Sequence, residues 1–209
     1  MATADARPRP RRRADAERNI ARIVSAARQS LSANPETTID DIAKAAGVGR
    51  MTLYGHFPSR AELVEAAVVD ALRAGEQTLS AIDLTGDARS AVTRLLTSSW
   101  SLVAESSALL TAAQDVLPAG RILELHAGPV HRFEELLRRG QAQGVFRTDL
   151  PITWLASMAH RVLNGAAEEI RAGRVTTDDA ARMIVATVQP ILAASPAESH
   201  RADRAPSAS

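Results

Sequence analysis

The stretch GVGRMTLYGHF, residues 47–57, determines how the N-terminal part of the chain is interpreted. A continuous helix through it would contain Gly49 and Gly55, and a glycine inside a helix costs about 1 kcal/mol relative to alanine. Gly47 can instead adopt the positive φ of a sharp turn. Gly49 can cap the start of a short helix, where glycine is tolerated. The stretch therefore predicts a tight turn followed by a short helix, with Gly55 as the residue that helix propensity does not explain.

A second short helix is predicted just before this turn. It begins at Thr38, a capping residue that is followed by Asp40 and Asp41 in the first turn, where carboxylates suit the positive end of the helix dipole. It ends near Ala46. Two short helices joined by a tight turn have the spacing of a helix-turn-helix, whose second helix enters the major groove of DNA. Four apolar residues are expected to form the shared core: Ile42, Val48, Leu53 and Phe57.

Helical periodicity continues on both sides of this unit. A helix is predicted from Asp15 to about Asn34, and another begins after Ser59, which caps it with Glu62 at the third helical position, and runs towards Leu79.

Five more helices follow, and the third is expected to be interrupted at Gly128-Pro129 because proline removes a helical donor. The segment VFRTDL reads as a loop. The five are Asp87 to Glu105, Ala108 to Leu117, Gly120 to Gln143, Pro151 to Ala172 and Thr177 to Ala194.

The charge is distributed unevenly along the chain. The net charge is +1, but residues 1–60 carry 11 Lys+Arg and 6 Asp+Glu, a net +5, whereas residues 61–209 carry 14 and 18, a net −4. A basic N-terminal portion favours an anionic partner, foremost nucleic acid. A basic tail that only aids solubility is the alternative.

Four segments are expected from these patterns. Residues 1–13 are predicted to be a disordered basic arm, because they contain two prolines and lack periodicity. Residues 14–60 are predicted to form the helix-turn-helix domain and residues 61–194 a helical domain, whose regulatory and dimerisation roles are implied by the family resemblance described below. Residues 195–209 are expected to be a disordered tail.

Several classes of protein are disfavoured by what the sequence lacks. There is no cysteine, and aromatic residues make up 3% of the chain, which favours an all-α protein. No run of about 18 apolar residues and no apolar leader occur, so a cytoplasmic protein without membrane contact is expected. No Gly-rich phosphate loop, HExxH or GxSxG occurs either. No catalytic residue, cofactor or metal is therefore predicted, and His126 and His131, on either side of Pro129, are poorly spaced for a metal.

The segment TIDDIAKAAGVGRMTLYGHFPSRAELVEA, residues 38–66, closely resembles the DNA-binding domain of TetR-family transcriptional regulators. The resemblance extends over about Ala16 to Ala71; beyond that it covers only the length and the helix layout. It implies an all-α protein with three N-terminal helices for DNA and a C-terminal ligand-binding and dimerisation domain. It also implies a homodimer bound to a double-stranded DNA operator and repression relieved by a small molecule.

The resemblance further implies a set of DNA-binding residues. Arg50 corresponds to a residue that can bind a guanine bidentately, a contact that contributes about 1–3 kcal/mol of discrimination. Met51 and Thr52 also correspond to the start of the recognition helix; Met51 and the methyl group of Thr52 can contact a thymine methyl group, with a DNA-backbone contact as the alternative for Thr52. Tyr54 and His56 correspond to phosphate contacts, with a packing role as the alternative for both. The full set is Thr38, Arg50, Met51, Thr52, Tyr54, Gly55, His56 and Arg60.

Two positions depart from the family pattern. Many relatives carry serine or threonine in place of Gly49, and a larger residue in place of Gly55. The second departure removes a side chain from the surface expected to face the groove. It either deletes a contact or lets the backbone approach DNA more closely.

Apolar faces on the last two helices suggest a four-helix bundle with a second subunit; an ordinary intramolecular core is the alternative. The dimerisation candidates are Leu155, Val162, Ala166, Ile184 and Val188. A cavity among the middle helices is expected to bind the effector, although each lining residue also suits a plain core. The ligand candidates are Trp100, Val103, Asp115, Leu117, His126, Val130, Phe133 and Met158.

Together these features predict a ligand-responsive transcriptional regulator. The expected action is repression, ended when a small hydrophobic or amphipathic molecule releases the dimer from an approximately palindromic operator. A constitutive DNA-binding protein without an effector is one alternative, and a helical enzyme is a less favoured one.

Overall fold

The computed structural model describes residues 9–194, with side chains from residue 14 onward. Within that range the chain forms eight α-helices and no strand, and an isolated antiparallel bridge joins Phe146 and Ala193. This architecture confirms the predicted all-α fold. The helices are α1 (Arg9–Ala33), α2 (Ile39–Ala45), α3 (Arg50–His56), α4 (Arg60–Ser80), α5 (Ala88–Gln114), α6 (Ala119–Ala142), α7 (Ile152–Arg171) and α8 (Thr177–Leu192).

The first helix begins earlier than predicted, at Arg9 instead of Asp15. Pro10 lies in its first turn, where backbone N–H groups have no helical partner and proline is tolerated. The expected basic arm therefore overlaps α1 from Arg9 onward. Residues 1–8 and the predicted tail, 195–209, lie outside the described residues.

Helix α5 replaces two predicted helices, so the break expected between Glu105 and Ala108 was wrong. The Ser107 hydroxyl donates a 2.9 Å hydrogen bond to the carbonyl oxygen of Ala104. A serine whose hydroxyl is satisfied inside the helix does not terminate it. Ala108 and Leu109 are buried, which further stabilises the continuous helix.

Helix α6 is also continuous, and the interruption expected at Gly128-Pro129 was wrong. A proline in a helix removes one backbone hydrogen bond and strains the preceding turn. The buried side chains of Leu136 and Leu137, two turns later, bind this helix to the core and offset that loss.

By packing, the chain divides into two compact units. Of the residues that the structure describes, those up to Ala71 and residues 108–122 form unit 1, and residues 72–107 and those from 123 onward form unit 2. This division differs from the predicted boundary at residue 60, because residues distant in sequence complete unit 1. The functional domains 14–60 and 61–194 stay a prediction.

Unit 2 has an apolar core built from α5, α6, α7 and α8. Phe146 is 1% exposed and lies on Gly140 of α6, where an added Cβ would be 1.9 Å from the ring. The loop after α6 thus packs into the core, and VFRTDL is a connection between helices, as predicted. Between residues 9 and 194, no helix is long and apolar enough to cross a membrane.

Candidate nucleic-acid interface

The predicted cap of α2 is present in full. The Thr38 hydroxyl accepts a 3.2 Å hydrogen bond from the Asp41 backbone N–H, and the Thr38 N–H donates to the Asp41 carboxylate at 3.4 Å. The hydroxyl also donates to that carboxylate at 2.6 Å. These hydrogen bonds lower the pKa of Asp41 below its ordinary value. Thr38 therefore fixes the N-terminal end of α2.

The turn between α2 and α3 depends on a glycine and an arginine. Gly47 has a φ of +63°, as predicted. Arg22 of α1 donates from Nη2 to the carbonyl oxygens of Ala46 at 2.6 Å and Gly47 at 3.3 Å. A Cβ at Gly47 would be 2.8 Å from that same nitrogen. Arg22 is not among the residues predicted from the sequence, because it lies on a different helix, about 25 residues away.

Helix α3 begins after Gly49, which is its N-cap with φ −72° and ψ 149° and provides no side-chain hydrogen bond. Leu53 and Phe57 are buried, as the shared-core prediction requires, and so is Ile42 of α2. Val48, the fourth residue predicted for this core, is half-buried. The periodicity of a helix then leaves the opposite face of α3 in solvent. Four of the predicted DNA-binding residues on this helix are exposed, Met51 at 82%: Arg50, Met51, Thr52 and Gly55.

Tyr54 and His56 are half-buried, so each combines a packed side with a solvent-accessible side. Gly55 lies between them in α3, and an added Cβ would find no heavy atom within 4 Å. The departure at Gly55 is therefore not imposed by crowding inside the protein.

Arg50 makes two contacts that the sequence did not reveal. Its Nη1 donates a 2.6 Å hydrogen bond to Oδ2 of Asp40 on α2. Its Cζ lies 5.4 Å from the centroid of the Tyr54 ring, within the range of a cation–π interaction. The guanidinium is thus placed between a carboxylate and an aromatic ring at the start of α3.

Arg60 has a structural contact that was not predicted. Its Nη1 and Nη2 donate to the carbonyl oxygens of Thr37 at 2.6 Å and Pro35 at 3.0 Å. These hydrogen bonds attach the start of α4 to the loop before α2. The side chain is half-buried, and its two terminal nitrogens are engaged with the protein.

A surface cleft in unit 1 brings several of these groups together. Asp115, a candidate for the ligand site, lies in this cleft beside the predicted DNA-binding residues, and Leu117 is also in unit 1. The cleft is lined by Pro35, Glu36, Thr38, Ile39, Asp40, Arg50, Tyr54, Arg60 and Asp115.

The other six ligand candidates are in unit 2. Trp100, Val103 and Phe133 are partly buried against its core, whereas Val130 is 47% exposed. His126 and Met158 are half-buried.

His126 lies close enough to His160 to affect its titration. Desolvation of the imidazole by its neighbours, followed by Coulombic interactions with His126 and Arg161, lowers the pKa of His160 below its ordinary value. Among residues 14–194, no cluster of three or more histidine, aspartate or glutamate side chains is placed to hold a metal ion.

The dimerisation candidates separate into two groups. Leu155, Ile184 and Val188 are at most 1% exposed and lie in the core of unit 2. Their side chains offer no surface to a second subunit. Val162 and Ala166 are half-buried, and the exposed large apolar side chains on α7 and α8 are Trp154 at 54% and Met183 at 44%.

Residues 23–67 match the family model described as bacterial regulatory proteins, tetR family. This range contains the end of α1, all of α2 and α3, and the start of α4. No curated protein is significantly similar to the chain in sequence.

Solved structures share the fold over most of their length. The TetR-like transcriptional regulator LfrR from Mycobacterium smegmatis, in complex with proflavine, has 21% identity and a TM-score of 0.69, and the match covers 84% of this chain and 97% of LfrR. A TetR-family regulator from Agrobacterium tumefaciens has 19% identity and a TM-score of 0.69, covering 85% and 99%. RolR in complex with resorcinol has 20% identity and a TM-score of 0.58, covering 93% and 97%.

Proposed function

We propose that this chain is a homodimeric repressor of the TetR family of bacterial regulatory proteins, which a small molecule releases from a palindromic operator. Residues 23–67, which contain the helix-turn-helix of α2 and α3, match the model of that family. The observation that carries the proposal is the exposed face at the start of α3. Arg50, Met51 and Thr52 lie in solvent on this face, while Leu53 on the opposite face is buried. Such residues of a recognition helix contact base edges. The net charge of +5 over residues 1–60 suits a DNA partner.

The residues around this face divide into base-reading and supporting roles. Arg50, Met51 and Thr52 are assigned to bases. Tyr54 and His56, each with one accessible side, are assigned to phosphates. Two of the eight candidates have clear structural functions.

Those two are Thr38 and Arg60. Thr38 caps α2 and Arg60 holds the loop before it, so each orients the unit through its protein hydrogen bonds. Any phosphate contact by these side chains is additional to that role.

A homodimer is proposed on α7 and α8. These two helices pack against each other, and their buried residues leave Trp154 and Met183 as exposed large apolar side chains. An interface on these two faces would remove both side chains from water, which favours association. With Val162 and Ala166 half-buried beside the core, the proposed interface consists of the outer faces of the two helices. Two-fold symmetry of the dimer accounts for a palindromic operator.

The effector is proposed to be a small aromatic or largely apolar molecule that binds among the middle helices. Trp100, Val103 and Phe133 give unit 2 an apolar surface that is only partly buried. Two proteins with this fold have been solved with the aromatic compounds proflavine and resorcinol. An effector relieves repression if it binds the DNA-incompetent state of the dimer more tightly. A regulator of this kind acts on DNA in the cytoplasm.

Selection from a random duplex library tests the DNA-binding part. The full chain is expected to enrich one approximately palindromic sequence, and fluorescence anisotropy then gives its affinity relative to unrelated DNA. A protein that enriches no sequence would contradict the proposal. Arg50→Ala should relax preference at one operator position, with Arg18→Ala, an exposed arginine of α1, as the control for loss of charge.

The effector part has a separate test. Proflavine and resorcinol are titrated into the complex of the protein with its selected operator, followed by a panel of other aromatic compounds. Release of DNA by any of them supports the proposal. An operator affinity that none of them changes favours the constitutive DNA-binding protein.

A further inference from the structure

Asp40 and Arg50 form an ion pair across the helix-turn-helix that the assigned base and phosphate contacts do not explain. The 2.6 Å contact between Nη1 and Oδ2 joins the first turn of α2 to the first turn of α3. Both side chains are largely in solvent, 60% exposed for Arg50 and 57% for Asp40. An exposed ion pair of this kind contributes little to the stability of a fold. Its position at the base-reading end of α3 points to another role.

The contact leaves one complete edge of the guanidinium available. Arginine presents five N–H donors in a planar fork, and a guanine is recognised by two of them, bonded to O6 and N7. Asp40 engages Nη1, and the Tyr54 ring lies 5.4 Å from Cζ. Within residues 14–194 no other group forms a hydrogen bond with Arg50, so the edge formed by Nε and Nη2 is available to a base.

We propose that Asp40 is a positioning residue for base recognition, which holds the Arg50 guanidinium against Tyr54 with its Nε–Nη2 edge ready for a guanine. This inference rests on the proposed DNA-binding function and deepens it. A long side chain that is ordered before binding loses less conformational entropy when it contacts DNA. A carboxylate beside the DNA surface also repels phosphates of any sequence, so Asp40 should lower non-specific affinity and raise discrimination together.

The matched control is Glu36. It is a second exposed carboxylate in the same cleft, and among the described residues it forms no ion pair with Arg50. Replacing either acid removes one negative charge from the cleft, but only replacing Asp40 releases Arg50. The comparison therefore separates positioning of the arginine from simple electrostatic repulsion.

The experiment uses the full chain and the operator enriched from a random duplex library. The operator base pair whose preference is lost in Arg50→Ala is identified first. Discrimination at that base pair is then measured by anisotropy for wild type, Asp40→Ala, Asp40→Asn and Glu36→Gln, and for Asp40→Ala combined with Arg50→Ala. Thermal unfolding of each variant confirms that it is folded at the assay temperature.

Asp40→Ala is expected to lower discrimination at that base pair about twofold to tenfold, the effect of freeing one long side chain. Asp40→Asn should fall between Asp40→Ala and wild type, because its amide oxygen still accepts a hydrogen bond from Arg50. If Asp40→Ala is unfolded at the assay temperature, a loss of discrimination in Asp40→Asn supports the proposal and unchanged discrimination overturns it. Glu36→Gln should raise the affinity for all DNA sequences equally. In the protein that carries Arg50→Ala, the addition of Asp40→Ala should not change discrimination further.

Two results would overturn the positioning role of Asp40 and leave the proposed DNA-binding function intact. One is wild-type discrimination in Asp40→Ala, with only the general gain in affinity seen for Glu36→Gln. The other is an equal loss of discrimination with and without Arg50, since that would place the effect in the fold of the unit. A wild-type protein without sequence preference would instead overturn the proposed function, and this inference with it.

Discussion

Arg22 Nη2 lies 2.6 Å from the carbonyl oxygen of Ala46, so a side chain of α1 completes the C-terminal end of α2. The last carbonyl groups of a helix lack intrahelical partners. A cationic donor forms hydrogen bonds with them and also interacts favourably with the negative end of the helix dipole. The same nitrogen is 3.3 Å from the carbonyl oxygen of Gly47, the turn residue with positive φ. One arginine thus holds the turn that determines how α3 is presented.

Removing this contact should weaken both the unit and its DNA binding. Arg22→Ala is expected to lower the free energy of unfolding by about 1 kcal/mol, the value of a partly exposed hydrogen bond from a charged group. Operator affinity should fall as well, because α3 loses its fixed orientation. Urea unfolding and anisotropy measure the two effects. Arg18→Ala, which removes an equal charge from the exposed Arg18–Asp15 pair of α1, should change stability little; an equal loss in both variants would contradict this account.

Gly55→Ala should stabilise the free protein by about 0.5–1 kcal/mol, the difference in helix propensity. The added methyl group meets no heavy atom within 4 Å. Urea unfolding without DNA measures the gain. If the backbone at Gly55 approaches DNA closely, operator affinity falls while stability rises. Unchanged or lower stability would show that Gly55 has a structural role within the protein.

Gly140→Ala should have the opposite effect. An added Cβ would lie 1.9 Å from Cδ2 of Phe146, which is 1% exposed. Because the ring is enclosed, we expect a loss of about 1–3 kcal/mol, as for other overpacked cores. Gly120→Ala, in open space on the same helix, is the control and should not destabilise the protein. Equal urea midpoints for the two variants would refute this view of the core.

The stability of the α2 cap should depend on pH in the acid range. In the folded protein the pKa of Asp41 lies below its ordinary value of 3.8, because Thr38 donates to its carboxylate. Its stabilising contribution is therefore complete above that value and is lost as the pH falls through the lower folded pKa. The carboxyls of Asp83, Asp149, Glu169 and Asp179 also have lowered pKa values and act in the same direction.

Asp41→Asn and Thr38→Val should each reduce this acid dependence, since one removes the carboxylate and the other the hydroxyl that bonds it. Urea midpoints measured from neutral pH down to below the ordinary aspartate value provide the comparison. A wild-type slope in both variants would show that the capping box contributes nothing to acid unfolding.

The proposed dimer surface predicts a specific loss of association. Met183→Glu places a charge at an apolar side chain that is 44% exposed on α8, and sedimentation should show a shift from dimer to monomer. Leu123→Glu, at a residue of α6 that is 73% exposed, should leave the dimer intact. Helical content should stay constant in both. If the Met183→Glu protein sediments as the wild-type dimer, α8 does not supply the interface at this position.

Much of the helix-turn-helix is determined by sequence. Thr38 caps α2, Gly47 adopts the positive φ of the turn, and Gly49 is the N-cap of α3. These roles depend on local geometry, so the residue types alone predicted α2, the turn and α3. The apolar periodicity that identified Ile42, Leu53 and Phe57 as core is also a local property. All of these residues lie within residues 23–67, the range that matches the family model.

Tertiary structure decided which partner each side chain meets. Periodicity identifies an apolar face but not the residues that pack against it. Leu155, Ile184 and Val188 pack within the core of unit 2. Pro129 lies inside a continuous helix because packing beyond it outweighs one lost hydrogen bond. The roles of Arg22, Asp40 and Arg60 depend on partners at least 10 residues away in the sequence. Local sequence patterns do not predict such contacts. The sequence thus determined the helix-turn-helix, and folding determined which charged side chains hold it in position.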